Sequence, residues 1–308
     1  MRLGLIGVPF NSAGSATSAE AAGPGALRAA GLVDAVSNSA TVTDYGDLTI
    51  TPVPSPRRDA TSGVIAPETF LGMVGAVRGA VKQAYSDRLM PLLIGGDSAI
   101  LLGGLLGARD QLGFGPGLLF VDGHEDAYPP FGSVTGEACD MELGLALGVT
   151  RADHLGNLAH ELPVVQPHEV ALLGCRDGAE LKAEGIESVR HKVIVMDDSE
   201  LRDAGVAVTI TRWLGQFQNK PGRFWFHLDL DVLSTDANAA VSYPQPGGLA
   251  WDEVESIVKT VFAADHLIGI DIDGYNPDRD RDQATAHAIV NLIAGAIKPA
   301  DSRTHRPL

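Results

Sequence analysis

Cysteine is nearly absent: Cys139 and Cys175 are the only two in 308 residues, too few for a framework of structural disulfides. Long apolar runs are missing as well, none approaching the roughly 20 residues that carry a helix across a bilayer. Basic charge is scarce, with 23 Lys and Arg against 39 Asp and Glu, a formal charge of −16. No Lys/Arg cluster stands ready to neutralise phosphates, so neither nucleic acid nor an anionic membrane is an expected partner. The opening MRLGLIGVPF lacks a charged segment followed by a long apolar one and reads as a strand, not a secretion signal. These absences describe a cytoplasmic protein. Its acidity is that of a solvated surface or an attraction for a cationic substrate.

What is present is a large core. Hydrophobic residues make up 45% of the chain, enough for one α/β domain over residues 1–308, with 298–308 as a loosely ordered tail. Apolar runs rich in β-branched residues predict strands near 2–8, 39–44, 91–95, 117–122, 168–174, 191–196, 223–230 and 266–272. Helical segments start at Gly23, at Pro67, after Asp97 and at Trp251, and the last spans 279–297. This alternation predicts a mostly parallel sheet of about eight strands covered by helices on both faces. Irregular stretches begin at Thr51, Ala127 and Ser234, and the last two directly follow strands that end in carboxylates. Ligands of open α/β sheets sit at the carboxyl ends of strands, so these two loops are expected to wall a site.

Two segments carry the chemistry. LLFVDGHEDAY places Asp122, His124 and Asp126 at alternate positions, and FWFHLDLDVL does the same with His227, Asp229 and Asp231. In extended backbone each set projects from one side, a comb of ligands at a strand edge. Asp and His at strand ends often only cap helices. Two combs on separate apolar strands argue for more, because so many buried ionisable groups are costly without a cation. Carboxylates with few imidazoles suit Mn²⁺ and also accept Zn²⁺, Fe²⁺, Co²⁺ or Ni²⁺. Paired ions would lower the pKa of a shared water and aim it at an electrophilic carbon. A third segment, PLLIGGDSAI, ends a strand at Gly95 and Gly96, where Asp97 reads as a helix N-cap. Cys175, Trp225 and Phe226 read as packing, whereas Tyr128 and Tyr243 lie in the expected wall loops and are candidates to touch substrate.

In order along the chain, GVPF at Gly7, GPGALRAAGL at Gly23, DYGDL at Asp44, GGD at Gly95, DGHED at Asp122, DLD at Asp229, PGGL at Pro246 and NP at Asn276 resemble the ureohydrolases, the arginase, agmatinase and formimidoylglutamase family. The resemblance covers nearly the whole chain and implies a three-layer α/β/α fold. It further implies a binuclear manganese centre that hydrolyses guanidino compounds to urea and an amine. Carried over residue by residue, it makes Asp122, His124, Asp126, Asp229 and Asp231 metal ligands. Asp122 and Asp229 would bridge two ions, and Asp126 would also accept a proton from the water between them.

Several positions depart from the family pattern. Ser98 stands where the family's Gly-Gly-Asp-His segment supplies a metal-binding histidine, and a neutral hydroxyl is a poorer ligand, so one ion or two are expected. The loop Thr135-Gly136-Glu137-Ala138-Cys139 lacks the family's active-site histidine, leaving His227 or Glu137 as candidates for moving protons. The guanidinium-binding glutamate before Asn-Pro is Gly274, with Asp273 as the neighbouring substitute. Arg176-Asp177-Gly178-Ala179 keeps one acid, Asp177, of a pair that holds an α-amino group. With Tyr128 and Glu137, Asp177 and Asp273 complete the candidate substrate contacts. The expectation is a hydrolase of C–N bonds in a small, cationic guanidino, hydroxyguanidino or amidino compound other than arginine. Two readings stay open beside it: a catalytically silent binding or regulatory protein that keeps one metal, and an amidohydrolase with a non-guanidino substrate. A homo-oligomer is equally open.

Overall fold

The computed structural model describes residues 1–14, 19–217, 223–238 and 240–297. The tail expected at 298–308 lies outside the described residues. Eight strands form one sheet: β1 Arg2–Val8, β2 Thr41–Asp47, β3 Met90–Gly95, β4 Gly117–Val121, β5 Val170–Gly174, β6 Ile194–Asp197, β7 Phe224–Asp229 and β8 Leu267–Asp273. Their order is β2-β1-β3-β8-β7-β4-β5-β6, and every adjacent pair is parallel. The central strands β3, β4, β7 and β8 are buried along their whole length, as unbroken apolar runs of a doubly covered parallel sheet should be. β2, at an edge, is largely exposed and polar.

The described helices are α1 Gly23–Ala29, α2 Leu32–Ser37, α3 Pro67–Ser86, α4 Leu101–Leu112, α5 Glu142–Leu147, α6 Gly178–Glu184, α7 Asp198–Ala204, α8 Val206–Leu214, α9 Trp251–Phe262 and α10 Ala284–Ala296. One apolar cluster joins α3, α4 and α5 to one sheet face, and another joins α2, α8, α9 and α10 to the other. The result is the expected three-layer α/β/α arrangement.

All eight strands fall where the apolar runs place them, β2 two to three residues later than read. The helices depart further from their expected bounds. The segment from Gly23 is two helices, because Gly31 takes a left-handed φ of 92° and breaks the run. The segment after Asp97 starts as a 3₁₀ turn, Ser98–Ile100, before α4, and the last helix begins at Ala284, behind a separate 3₁₀ turn at Pro277–Arg279. Helices α5 to α8 lie outside the expected segments; each is nine residues or shorter, with little room for a periodic pattern to show. Among the described residues no helix is long and apolar enough to cross a membrane.

Candidate metal centre

The chain runs out to one edge of the sheet through β1 and β2, to the other through β4, β5 and β6, and then places β7 and β8 between the two halves. The carboxyl ends of β3, β8, β7 and β4 thereby stand side by side at the switch in strand order, where a crevice opens. A cavity of about 410 Å³ lies there, with Ser98, His124, Asp126, Tyr128, Glu137, Cys139, Asp229, Asp231, Tyr243 and Gly274 on its walls.

The ligand combs converge by a different geometry from the one expected. β4 ends at Val121, so Asp122, His124 and Asp126 do not share the face of an extended strand. They leave it in a tight loop, because the chain must turn away from the sheet and its freed N–H groups find carboxylates. The His124 N–H donates to Asp122 Oδ1 at 2.7 Å and the Gly123 N–H to Asp231 Oδ1 at 2.9 Å. Asp126 sits at φ 42°, a left-handed conformation rare for a residue with a side chain. In the second comb only His227 and Asp229 lie on β7. Asp231 belongs to a 3₁₀ turn, Leu230–Val232, and its N–H donates to Asp229 Oδ1 at 2.7 Å.

Asp122, His124 and Asp231 each bring one ligand atom within 4.8 Å of the others. His124 Nδ1 stands 2.8 Å from Asp231 Oδ2 and 3.7 Å from Asp122 Oδ1. A second set within the same limit is Asp122, Glu142 and His227, and a third is His227, Asp271 and Asp273. Asp122, Asp126, Glu142, Asp229, Asp231, Asp271 and Asp273 are all buried. Among the described residues their ion-pair partners are the two imidazoles, never a lysine or arginine. Burial, then repulsion from neighbouring carboxylates, pushes the pKa of Asp126 and Asp229 well up. Asp122 is held down despite its burial by hydrogen bonds from His124 and His227. Both imidazoles are pulled up against their own burial, His124 by Asp231 and His227 by Asp271 and Asp273. A divalent cation removes the conflict, because it neutralises charge that these groups cannot neutralise among themselves. The donor set of carboxylate oxygen and imidazole nitrogen therefore fits a transition-metal ion.

The other candidates separate into wall and interior. Glu137 accepts from Tyr243 Oη at 2.6 Å, and Tyr128 faces the same cavity. Ser98 is on the wall, its hydroxyl donating to the Cys139 carbonyl at 3.4 Å. Asp97 does cap the 3₁₀ turn, accepting from the Ala99 N–H at 3.3 Å, and burial raises its pKa to about 8. His227, Asp177 and Asp273 are not on the wall. His227 lies below Asp122 with no exposed surface, and Asp273 lies beside it. Asp177 is buried behind the loop and accepts the Glu125 N–H at 2.9 Å; burial raises its pKa to about 7.

Gly274 has φ 77°, and a Cβ there would stand 2.2 Å from Asp229 Oδ1. The backbone does bend at this glycine, yet the bend leaves Asp273 under the floor. Three residues escaped the sequence reading. Glu142 is a lone acid in the apolar stretch MELGLAL, and Asp271 alternates with Asp273 in LIGIDID, both visible signals. Trp225, read as packing, also donates its indole N–H to Asp271.

A family model described as "Arginase family" matches residues 1–298. The arginase of Bacillus subtilis (strain 168) is 26% identical over 301 residues, 96% of this chain and 97% of that protein. Among solved structures, the arginase of Bacillus caldovelox superposes with a TM-score of 0.85 at 24% identity, covering 96% of this chain and 98% of that one. The formimidoylglutamase of Bacillus subtilis superposes with a TM-score of 0.70 at 21% identity, covering 96% and 86%. The structural likenesses establish the fold.

Proposed function

The chain belongs to the arginase family, and from that premise we propose that it hydrolyses a C–N bond in a small cationic guanidino or amidino compound that carries no carboxylate. One observation carries the reading: besides the residues that would hold metal, six acidic residues line the cavity, Glu20, Asp97, Glu137, Asp140, Glu180 and Glu184, and among the described residues no lysine or arginine does. Such walls attract a cation and repel a substrate with its own carboxylate. Members of the family are hydrolases, and this chain keeps groups able to hold metal.

His124, Asp122, Asp229, Asp231 and Asp126 would hold divalent ions, Mn²⁺ foremost, which supply a Lewis acid and lower the pKa of a water. Asp126, on the cavity wall, would take a proton from the attacking water. Attack on the amidinium carbon is followed by cleavage of its bond to the leaving amine, which departs with a proton. Glu137, held by Tyr243 on the wall, is placed to pair with the substrate's cationic groups and to carry that proton. Gly274 contributes no side chain, so the guanidinium-binding acid of the family pattern is absent and the grip comes from the surrounding carboxylates. A cytoplasmic location, read from composition, belongs to the same proposal.

The test is a screen of the Mn²⁺-loaded protein against guanidinoalkylamines, guanidino acids, arginine and formamidines, followed by urea, ammonia and amine release. Amine-bearing guanidines should show a kcat/KM at least tenfold above that of their carboxylated counterparts. Turnover of carboxylated substrates alone would refute the charge argument. No turnover at full metal loading would leave a binding protein as the better reading.

A further inference from the structure

Asp122 divides its carboxylate between two sets of ligands. Oδ1 faces the His124 set on the cavity side, at 3.7 Å from His124 Nδ1. Oδ2 faces inward, at 3.4 Å from His227 Nε2. On that inner side Asp122, Glu142 and His227 each present one ligand atom within 4.8 Å of the others, and all three have no exposed surface. Among the described residues neither oxygen of Glu142 has a partner in good hydrogen-bonding geometry, and the carboxyl of Asp126 lies against it. A buried carboxylate with no donor is expensive, and two meeting without a cation are more so.

His227 is prepared for coordination. Its Nδ1 is hydrogen-bonded to Asp271, which also accepts the Trp225 indole N–H, and the ring stacks on Phe120 with centroids 4.2 Å apart. These partners hold a proton at Nδ1, so that a cation displacing the Nε2 proton would meet a lone pair aimed at Asp122. An imidazole fixed through its far nitrogen by a carboxylate is the outer support that metal-binding histidines use. Ser98 takes no part in this cluster: its hydroxyl is spent on the Cys139 carbonyl.

We propose that the second metal ion of this centre sits below the cavity floor, held by Asp122, Glu142 and His227 with Asp126 beside them, and that Asp122 bridges it to the ion at His124 and Asp231. The site takes a divalent first-row transition ion, since three carboxylates and one imidazole form a mixed oxygen and nitrogen set. Glu142 and His227 then replace the ligand that Ser98 does not provide. The inference rests on the metallohydrolase reading above but is read out by metal content, not by turnover.

The chelator-stripped full-length protein would be titrated with Mn²⁺ under equilibrium dialysis, with bound metal measured by mass spectrometry. Two equivalents are expected for the natural chain and for Ser98→Ala, and one for Glu142→Gln. A single equivalent in the natural chain, two in Glu142→Gln, or loss of one in Ser98→Ala would overturn the proposal. His124→Ala leaves the inner ligands untouched and guards against a misfolded Glu142 variant. Its remaining Mn²⁺ should show nitrogen modulation in pulsed electron paramagnetic resonance, from His227; an all-oxygen signal would contradict the site. Two bound equivalents without hydrolysis defeat the hydrolase reading and leave this site standing, while hydrolysis with one equivalent does the reverse.

Discussion

Single positions decide what this pocket accepts. Glu137 is held on the wall by Tyr243, apart from the residues that would hold metal. Glu137→Gln keeps its size and removes its charge, so kcat/KM for a cationic substrate should fall about tenfold, ~1.4 kcal/mol, with bound metal unchanged. Steady-state kinetics with metal analysis checks it, and a fall in metal content would show Glu137 to be a ligand instead. Gly274 is constrained from two sides, by its φ of 77° and by the Asp229 carboxylate where a Cβ would stand. Gly274→Ala should therefore displace Asp229 and lower Mn²⁺ affinity, measured by dialysis, despite adding a single methyl. Glycine here was legible as a missing glutamate. That nothing larger fits depends on a contact between the ends of β7 and β8, which no residue pattern displays.

Elements place these residues by close approach. Trp225 on β7 is clasped between Gly104 of α4 and Gly269 of β8, where added Cβ atoms would come within 2.6 Å and 2.1 Å of its ring. In a free helix, Gly→Ala gains about 1 kcal/mol. Here Gly104→Ala should instead cost about 1–3 kcal/mol in urea unfolding, because the ring cannot yield without leaving Asp271. Helices α3 and α4 are also tied by Arg78, which grips Asp110 with two hydrogen bonds of 2.8 Å. The Arg78 hydrogen bonds, aided by Lys82, outweigh partial burial and lower the Asp110 pKa to about 2. A carboxylate whose folded pKa is depressed stabilises the fold above its ordinary pKa of about 3.9 and loses that contribution as pH falls toward 2. Asp110→Asn should be less stable than the natural chain at pH 7, by up to about 1 kcal/mol for a pair partly open to water. The difference should shrink as pH falls through 2 and vanish below it.

At the scale of the molecule, the metal is a structural partner as well as a reagent. Seven buried carboxyl groups surround two imidazoles at the centre of the sheet, joining β4, β7, β8 and α5. A ligand that binds only the folded chain at a hundredfold excess over its Kd stabilises it by about 2.7 kcal/mol. Chelation should therefore lower the midpoint of thermal unfolding by about 4 °C, reversibly on Mn²⁺ return. An unchanged midpoint in calorimetry would mean that the cluster is neutralised by protons and not by metal.

The residue runs by themselves located the eight strands and the layered class; the central strands, buried on both faces, are apolar throughout and mark their own place, while the edge strands β2 and β6 are more exposed. They also exposed Asp122, His124, Asp126, Asp229 and Asp231, since charge at the end of such a run is conspicuous. Which side those residues face was decided only in three dimensions. The loop after Val121 folds back on its own carboxylates, and the sheet order sets His227 under Asp122, beside Asp273 and opposite Glu142 from a distant helix. Ligand identity is local chemistry that a strand end displays, whereas the inner ligands are joined by pairings that side-chain periodicity does not encode.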